Sequence, residues 1–251
     1  MNKKIFFVIL SAGLLISCTK ELKVFVSEKH PNGSKKKEIH YYTRQTDPRR
    51  IVIYGENGNI KSDQYMKNGK PDSLTVIYHN NGNKYKEVMY IQDPETKKEM
   101  KHGKEISWYE NGNVKTEASF ENGLPTGTAV TYYEDGKKAS QVSFQNGKKQ
   151  GEETYWYSNG NKKKSISYVD GNMDGLLKEW YENGNPKKEL AYKKNHLEGK
   201  SITFHENGKK ETESIYKGGK LDGLKQEWYK NGRLAAKAKF EKGVLVEGTR
   251  F

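Results

Sequence analysis

The sequence has one cysteine in 251 residues, Cys18, which excludes an intrachain disulfide and a thiolate metal cluster. It is short of apolar residues too: 33% are hydrophobic against 31% charged, and the mean hydropathy is −1.03. That balance lies close to the range of disordered chains and excludes a thick globular core. The one long apolar run, Ile5 to Ile16, is too short to span a bilayer as a permanent helix. Acidic residues are the minority, 32 against 45 basic, for a formal charge of +13. Without Lys3 and Lys4 the excess is about +11. Because the lysines are spread along the chain and not clustered, they read first as a solvated sheet surface that resists edge aggregation.

Order must therefore come from placement, and the sequence is periodic. A turn glycine recurs at Gly112, Gly136, Gly160, Gly184, Gly208 and Gly232, always 24 residues apart. Gly82, Gly58 and Gly33 extend the series upstream, giving nine units. The single break in register, near residues 92–100, is polar, contains Asp93-Pro94 and reads as a lengthened loop. A second glycine opens each later unit: Gly103, Gly127, Gly151, Gly175, Gly199 and Gly223.

Aromatic residues, 12% of the chain, keep the same step. One column is Trp108, Tyr132, Trp156, Trp180, Phe204 and Trp228, continued upstream by Ile53 and Ile77. Beside it stand Tyr54, Tyr78, Tyr109, Tyr133, Tyr157, Tyr181, His205 and Tyr229, and a third column runs from Phe120 to Phe240. Each unit offers two extended runs bounded by Asn-Gly or an equivalent, a pair that tolerates the positive φ of a type I′ turn. Glycine and asparagine interrupt the chain too often for helices. The expected fold is all-β, an antiparallel hairpin meander forming one elongated, twisted sheet over residues 24–251. Alternation puts Ile106 with Trp108 on one face and Ser107 with Tyr109 on the other. Cross-strand contact between aromatic neighbours is expected to hold this thin sheet, at roughly 0.2–1 kcal/mol per pair. Units at the two ends depart from the pattern and read as caps.

Catalytic and cofactor chemistry find no footing in this pattern. His30, His40, His79, His102, His196 and His205 form no pair at metal-binding spacing with a carboxylate, and most fall in turns. Glu87, Glu117, Glu189 and Glu213 recur unit by unit, so they read as cross-strand partners of lysines and not as an acid–base pair. The glycines never precede a helix, which removes the phosphate-loop reading. No enzyme, cofactor or metal is expected. The side chains offered for structure or binding are Trp108, Trp156, Trp180, Trp228, Tyr109, Tyr133, Tyr157, Tyr181 and Tyr229. The turn glycines Gly58, Gly82, Gly112, Gly136, Gly160, Gly184, Gly208 and Gly232 are structural.

Residues 1–18 read as an export leader: a basic start, an apolar stretch, then Leu15-Ile16-Ser17-Cys18, which resembles the bacterial lipobox. That resemblance implies a lipid on Cys18, with residues 19–23 as a tether. Thr19, not Asp, follows the cysteine, so the outer membrane is the expected address in a Gram-negative envelope, with neither side preferred. The segment Phe144 to Gly160, F-Q-N-G-K-K-Q-G-E-E-T-Y-W-Y-S-N-G, resembles the MORN repeat in its bacterial variant. The resemblance implies a hairpin-repeat scaffold for protein or lipid contacts. Bacterial proteins of this look are often labelled YwqK-type antitoxins, which adds an antitoxin or immunity role as one alternative and a surface adhesin as another. The expected partners are a membrane reached through the lipid anchor, a protein, and an anionic lipid or glycan. Export argues against nucleic acid.

Overall fold

The computed structural model describes residues 22–42 and 48–251. The leader, Cys18 and residues 19–21 of the tether lie outside the described residues. Leu22 and Lys23, assigned to the tether by sequence, already belong to the first strand, Leu22–Lys29. The described elements are strands, and they join in one 20-stranded antiparallel sheet whose neighbours follow chain order. One strand is split: Lys220–Leu221 and Gly223–Trp228 both pair with Lys210–Lys217, and between them the Asp222 N–H donates to the Ile215 carbonyl. The register break becomes a loop after Lys84–Gln92, where the Asp93 carboxylate accepts from the N–H groups of Glu95 and Thr96.

The two ends of each hairpin turn differently. At Asn122-Gly123 both residues have positive φ, 49° and 83°, the type I′ geometry expected of Asn-Gly. Asn146-Gly147 and Asp170-Gly171 repeat it. At the other end only the glycine is left-handed: Gly112 has φ 90°, whereas Asn111 does not enter that region. There Gly112 N–H bonds the Tyr109 carbonyl and Tyr109 N–H bonds the Asn113 carbonyl, a type I turn closed by a glycine bulge. The type I′ reading of this second set is corrected. Its asparagine is retained for a different reason, because Asn111 Oδ1 accepts from the Asn113 N–H at 2.9 Å and folds the turn on itself.

The glycines that open each unit are mid-strand bulges. Ile166 pairs with Leu177 and Tyr168 with Met173, so the strand Asn172–Trp180 carries two extra residues over that stretch, with Gly175 at φ 116°. Such a bulge bends the strand and tightens its twist. The unit before Gly103 keeps the bulge without the glycine: Gln64 pairs with Thr75 and Met66 with Pro71, and Ser73 is held at φ 94°.

Burial confirms a single layer. Only Val52, Met66, Val76, Val88, Ile166 and Leu177 are buried hydrophobics among the described residues. The accessible surface is 16904 Å², against about 11,000 Å² for a compact monomer of this mass. The end strands Leu22–Lys29 and Val244–Arg250 are exposed at every residue and present Phe25, Val26, Val244 and Leu245. The polar outer face of a cap is not what they carry. The glutamates divide: Glu189 faces Lys178 as expected and Glu213 meets Lys200 and Lys210, but Glu117 stands opposite Ile106 and Val130.

Two glycine sites test the bulge. A Cβ on Gly175 would stand 2.8 Å from the Cβ of Ser167, whereas one on Gly151 meets nothing within 4 Å. Urea unfolding should show Gly175→Ala costing upwards of ~2 kcal/mol, and Gly151→Ala only about 1 kcal/mol of backbone strain. Relieving the strained serine by Ser73→Gly should gain about 1 kcal/mol.

Candidate interaction surface

The Tyr column is a set of staples between units. Tyr109 hydroxyl donates to the Tyr132 carbonyl at 2.8 Å, Tyr133 to Trp156 at 2.6 Å, Tyr157 to Trp180 at 2.9 Å and Tyr181 to Phe204 at 2.9 Å. Each bond links a turn to the strand end one unit on. Burial holds the Tyr157 and Tyr181 hydroxyls above the ordinary phenol range, reinforced by Glu182 and by Glu211 respectively, so they remain donors through neutral and mildly alkaline pH. Tyr229 makes the same contact to Phe251 at 3.4 Å and is more than half exposed.

Histidines fill the same slot. His205 Nε2 lies 2.8 Å from the Trp228 carbonyl, His79 Nε2 3.0 Å from that of Trp108, and His30 Nε2 3.1 Å from that of Tyr54. A carbonyl only accepts, so Nε2 carries the hydrogen in each. His30 and His79 are therefore structural and not solvated turn residues. The early columns also shift by one: Tyr54 and Tyr78 pair across the strand end as Trp108 does, with Ile60, Lys84 and Val114 respectively, so they belong to the Trp column. Ile53 and Ile77 lie one residue earlier. Nothing in composition marks this slip; counting back from the turn glycine would have found it.

Turn amides make a second row of stitches. Asn111 and Asn113 both donate to the Glu134 carbonyl, at 3.2 and 2.9 Å. Asn159 and Asn161 do so to Glu182, and Asn183 and Asn185 to Glu206. Where a lysine replaces the second asparagine, Lys137 and Lys209 reach the Ser158 and Asn231 carbonyls instead.

The rings do not stack on one another. Among the described residues the ring contacts are Phe25 with Tyr41 and His79 with Tyr85, so the expected aromatic–aromatic ladder is corrected. The rings are about one unit apart, two strands at ~4.8 Å each, too far for ring contact. Lysines cover them. Lys84, Lys162 and Lys210 stand 5.5, 5.9 and 5.7 Å from the ring centroids of Trp108, Trp180 and Trp228. Lys115, Lys163 and Lys187 stand 5.2, 5.4 and 5.4 Å from those of Tyr109, Tyr157 and Tyr181. Because Lys162 and Lys163 are consecutive, they leave on opposite faces, and both faces carry the motif. Ala139 takes the lysine slot in one unit, leaving a hollow of about 400 Å³ beside Tyr133 and Trp156. The lysines are half-exposed, so each contact is worth about 0.5–1 kcal/mol.

Under the surface, Glu153 is 5% exposed and accepts from Lys149 at 2.7 Å and from the Tyr155 hydroxyl at 2.9 Å. Burial and this carboxylate push the Tyr155 phenol up to about 12. Among the described residues, no cluster of three or more His, Cys, Asp and Glu could hold a metal.

Tyr157→Phe keeps the ring under Lys163 and removes only the bond to Trp180. It should cost about 1 kcal/mol and raise hydrogen exchange chiefly in the two units it joins, while His205→Tyr should preserve stability.

Five consecutive segments, residues 101–122, 125–146, 149–170, 173–194 and 197–217, match the model of the MORN repeat variant. No curated protein matches the chain. The crystal structures of TcdB2-TccC3-Cdc42, TcdB2-TccC3-TEV and TcdB2-TccC3 align over 83%, 87% and 83% of this chain at 10% identity, with TM-scores of 0.18, 0.17 and 0.16. This chain spans 14%, 16% and 15% of theirs, and likeness at that level carries no argument. The stapled hairpins between residues 101 and 217 are thus the part of the sheet that is similar to the MORN repeat variant.

Proposed function

We propose that this protein is a lipid-anchored scaffold of the cell envelope, tethered through Cys18, whose repeat sheet binds a protein, or an anionic lipid or glycan, along its length. MORN repeats are generally involved in membrane or protein binding. The observation that carries the reading is the lysine-over-ring pair repeated on both faces, as at Lys162 with Trp180 and Lys163 with Tyr157. A half-exposed ammonium on a half-buried ring gives a partner both charge and flat apolar area. The same pair in unit after unit gives many equal, weak contacts in place of one strong one. A catalytic centre needs convergent groups in one place, and this surface distributes them, so the proposal is for binding without catalysis. The lipid and the basic sheet would act together at a membrane, each weak alone.

Distributed binding has a quantitative signature. Retention of the protein on anionic vesicles, and its capture of an envelope partner, should decline gradually as salt rises from about 0.05 to 0.5 M. Deleting two whole units, residues 149–196, should weaken binding severalfold, and replacing Lys115, Lys163 and Lys187 by Ala should flatten the salt dependence. An all-or-none loss on deletion would contradict the proposal.

A further inference from the structure

The first units break the repeat in one place. Counted from the turn glycines, Arg49 and Ser73 occupy the bulge slot that is glycine at Gly103, Gly127, Gly151, Gly175, Gly199 and Gly223. Likewise His40 and Tyr65 occupy the slot held by Ser119, Ser143, Ser167 and Ala191, and by Met89, Ile215 and Lys239 in other units. In four later units those two slots pack against each other, Gly103, Gly175, Gly199 and Gly223 facing Met89, Ser167, Ala191 and Ile215, while Gly127 and Gly151 meet nothing within 4 Å. Here all four enlarged residues line a single cavity of about 370 Å³, together with Arg50.

Its chemistry is rich in donors. Arg50 gives Nε and Nη2 to Asp63 at 2.7 and 2.6 Å, which leaves three of its five N–H groups. Asp63 is 9% exposed and is engaged by that fork, and Asp72, the carboxylate among the lining residues, has Lys67 3.6 Å away as its counter-charge. Tyr65, 45% exposed, lies with its ring 5.9 Å from the Arg50 guanidinium, and Ser73 holds its hydroxyl on a backbone at φ 94°. His40 is 7% exposed and neither ring nitrogen has a hydrogen-bond partner among the described residues. The nearest carboxylate, Glu38, is 3.8 Å from Nε2 and is taken by Lys35 and Tyr54. A buried N–H without an acceptor costs roughly 1–3 kcal/mol. Arginine is also rare in this chain, at Arg44, Arg49, Arg50, Arg233 and Arg250 only, and two of those five line the cavity. Its planar fork suits oxyanions as a lysine ammonium does not.

We propose that this cavity binds a small organic anion of sugar-acid size, its carboxylate or phosphate on Arg50 and within reach of His40, its ring against Tyr65. The site is discrete and separate from the distributed surface. Burial, and then the charge of Arg50, hold the His40 pKa below the usual imidazole value, with Glu38 and Asp63 pulling the other way. An added oxyanion would pull it upward.

Calorimetry on the full-length protein with glucuronate, glucose 6-phosphate and glucose tests this. Either anion binding while glucose does not supports the site and identifies its oxyanion; equal binding of glucose, or no binding by any of the three, overturns it. His40→Ser and Tyr65→Ser install the residue that Ser119, Ser143 and Ser167 supply in the same slot of later units, so the fold is kept. Each should weaken the anion about tenfold, and unchanged affinity in both overturns the proposal. By NMR, the His40 titration midpoint should rise on adding the bound anion. A His40 midpoint that does not move has the same adverse meaning. None of these outcomes depends on the distributed binding of the sheet.

Discussion

A side-chain donor that reaches the main chain one unit ahead is the interaction on which the rest of this molecule depends. A sheet with six buried hydrophobic residues has little apolar burial to offset the entropy of ordering. Hairpins in isolation are marginal at best. The bonds from Tyr157 to Trp180 and from Asn161 to Glu182 tie each turn to the next, so ordering one unit presents the next with a formed acceptor. Stability is then local and shared between nearest neighbours, as for other linear repeats. The Tyr slot needs reach and a donor more than it needs a phenol, which explains why His30, His79 and His205 serve in it.

The lysines follow from the same constraint. Once the Trp and Tyr columns are spaced by a whole unit, no ring can shield another. A half-exposed aromatic face would then be a patch for aggregation. A lysine from the turn covers it with its methylene stem while the ammonium remains in water. One device therefore keeps the ribbon soluble, stiffens the turn and gives the surface its charge. The excess of basic residues arises from covering rings as much as from recruiting a partner.

Much of this was legible in the sequence because the period is short and strict. Turn glycines at a fixed step, two runs per unit and the loop at the register break all correspond to observed elements. The errors share a cause. Reading Asn-Gly as one turn type at both hairpin ends ignored that Asn111 and Asn122 close loops of different length. Stacking the aromatics on each other treated residues one unit apart as neighbours when a partner strand lies between them. Tyr54 and Tyr78 were misplaced by matching residue types, although the count from Gly58 and Gly82 puts them in the Trp column. The cavity was invisible for a related reason: Arg49, Ser73, His40 and Tyr65 look like ordinary drift at the end of an array until the sheet brings their slots together.

In a repeat array, conformity and departure have different physical meaning. A residue that fits its column is accounted for by the neighbours that occupy the same column, so Tyr157 or Lys163 needs no local explanation. A departure is paid for locally, since no other unit shares the strain. Ser73 at φ 94° and His40, unpartnered among the described residues, are such costs, and they fall on the wall of one hollow with two strands between them. Random decay at an end would scatter them over faces and edges, and would favour small polar residues over a buried imidazole and a bidentate guanidinium. Their convergence sets the first units apart as the place where the ribbon does something its other units do not.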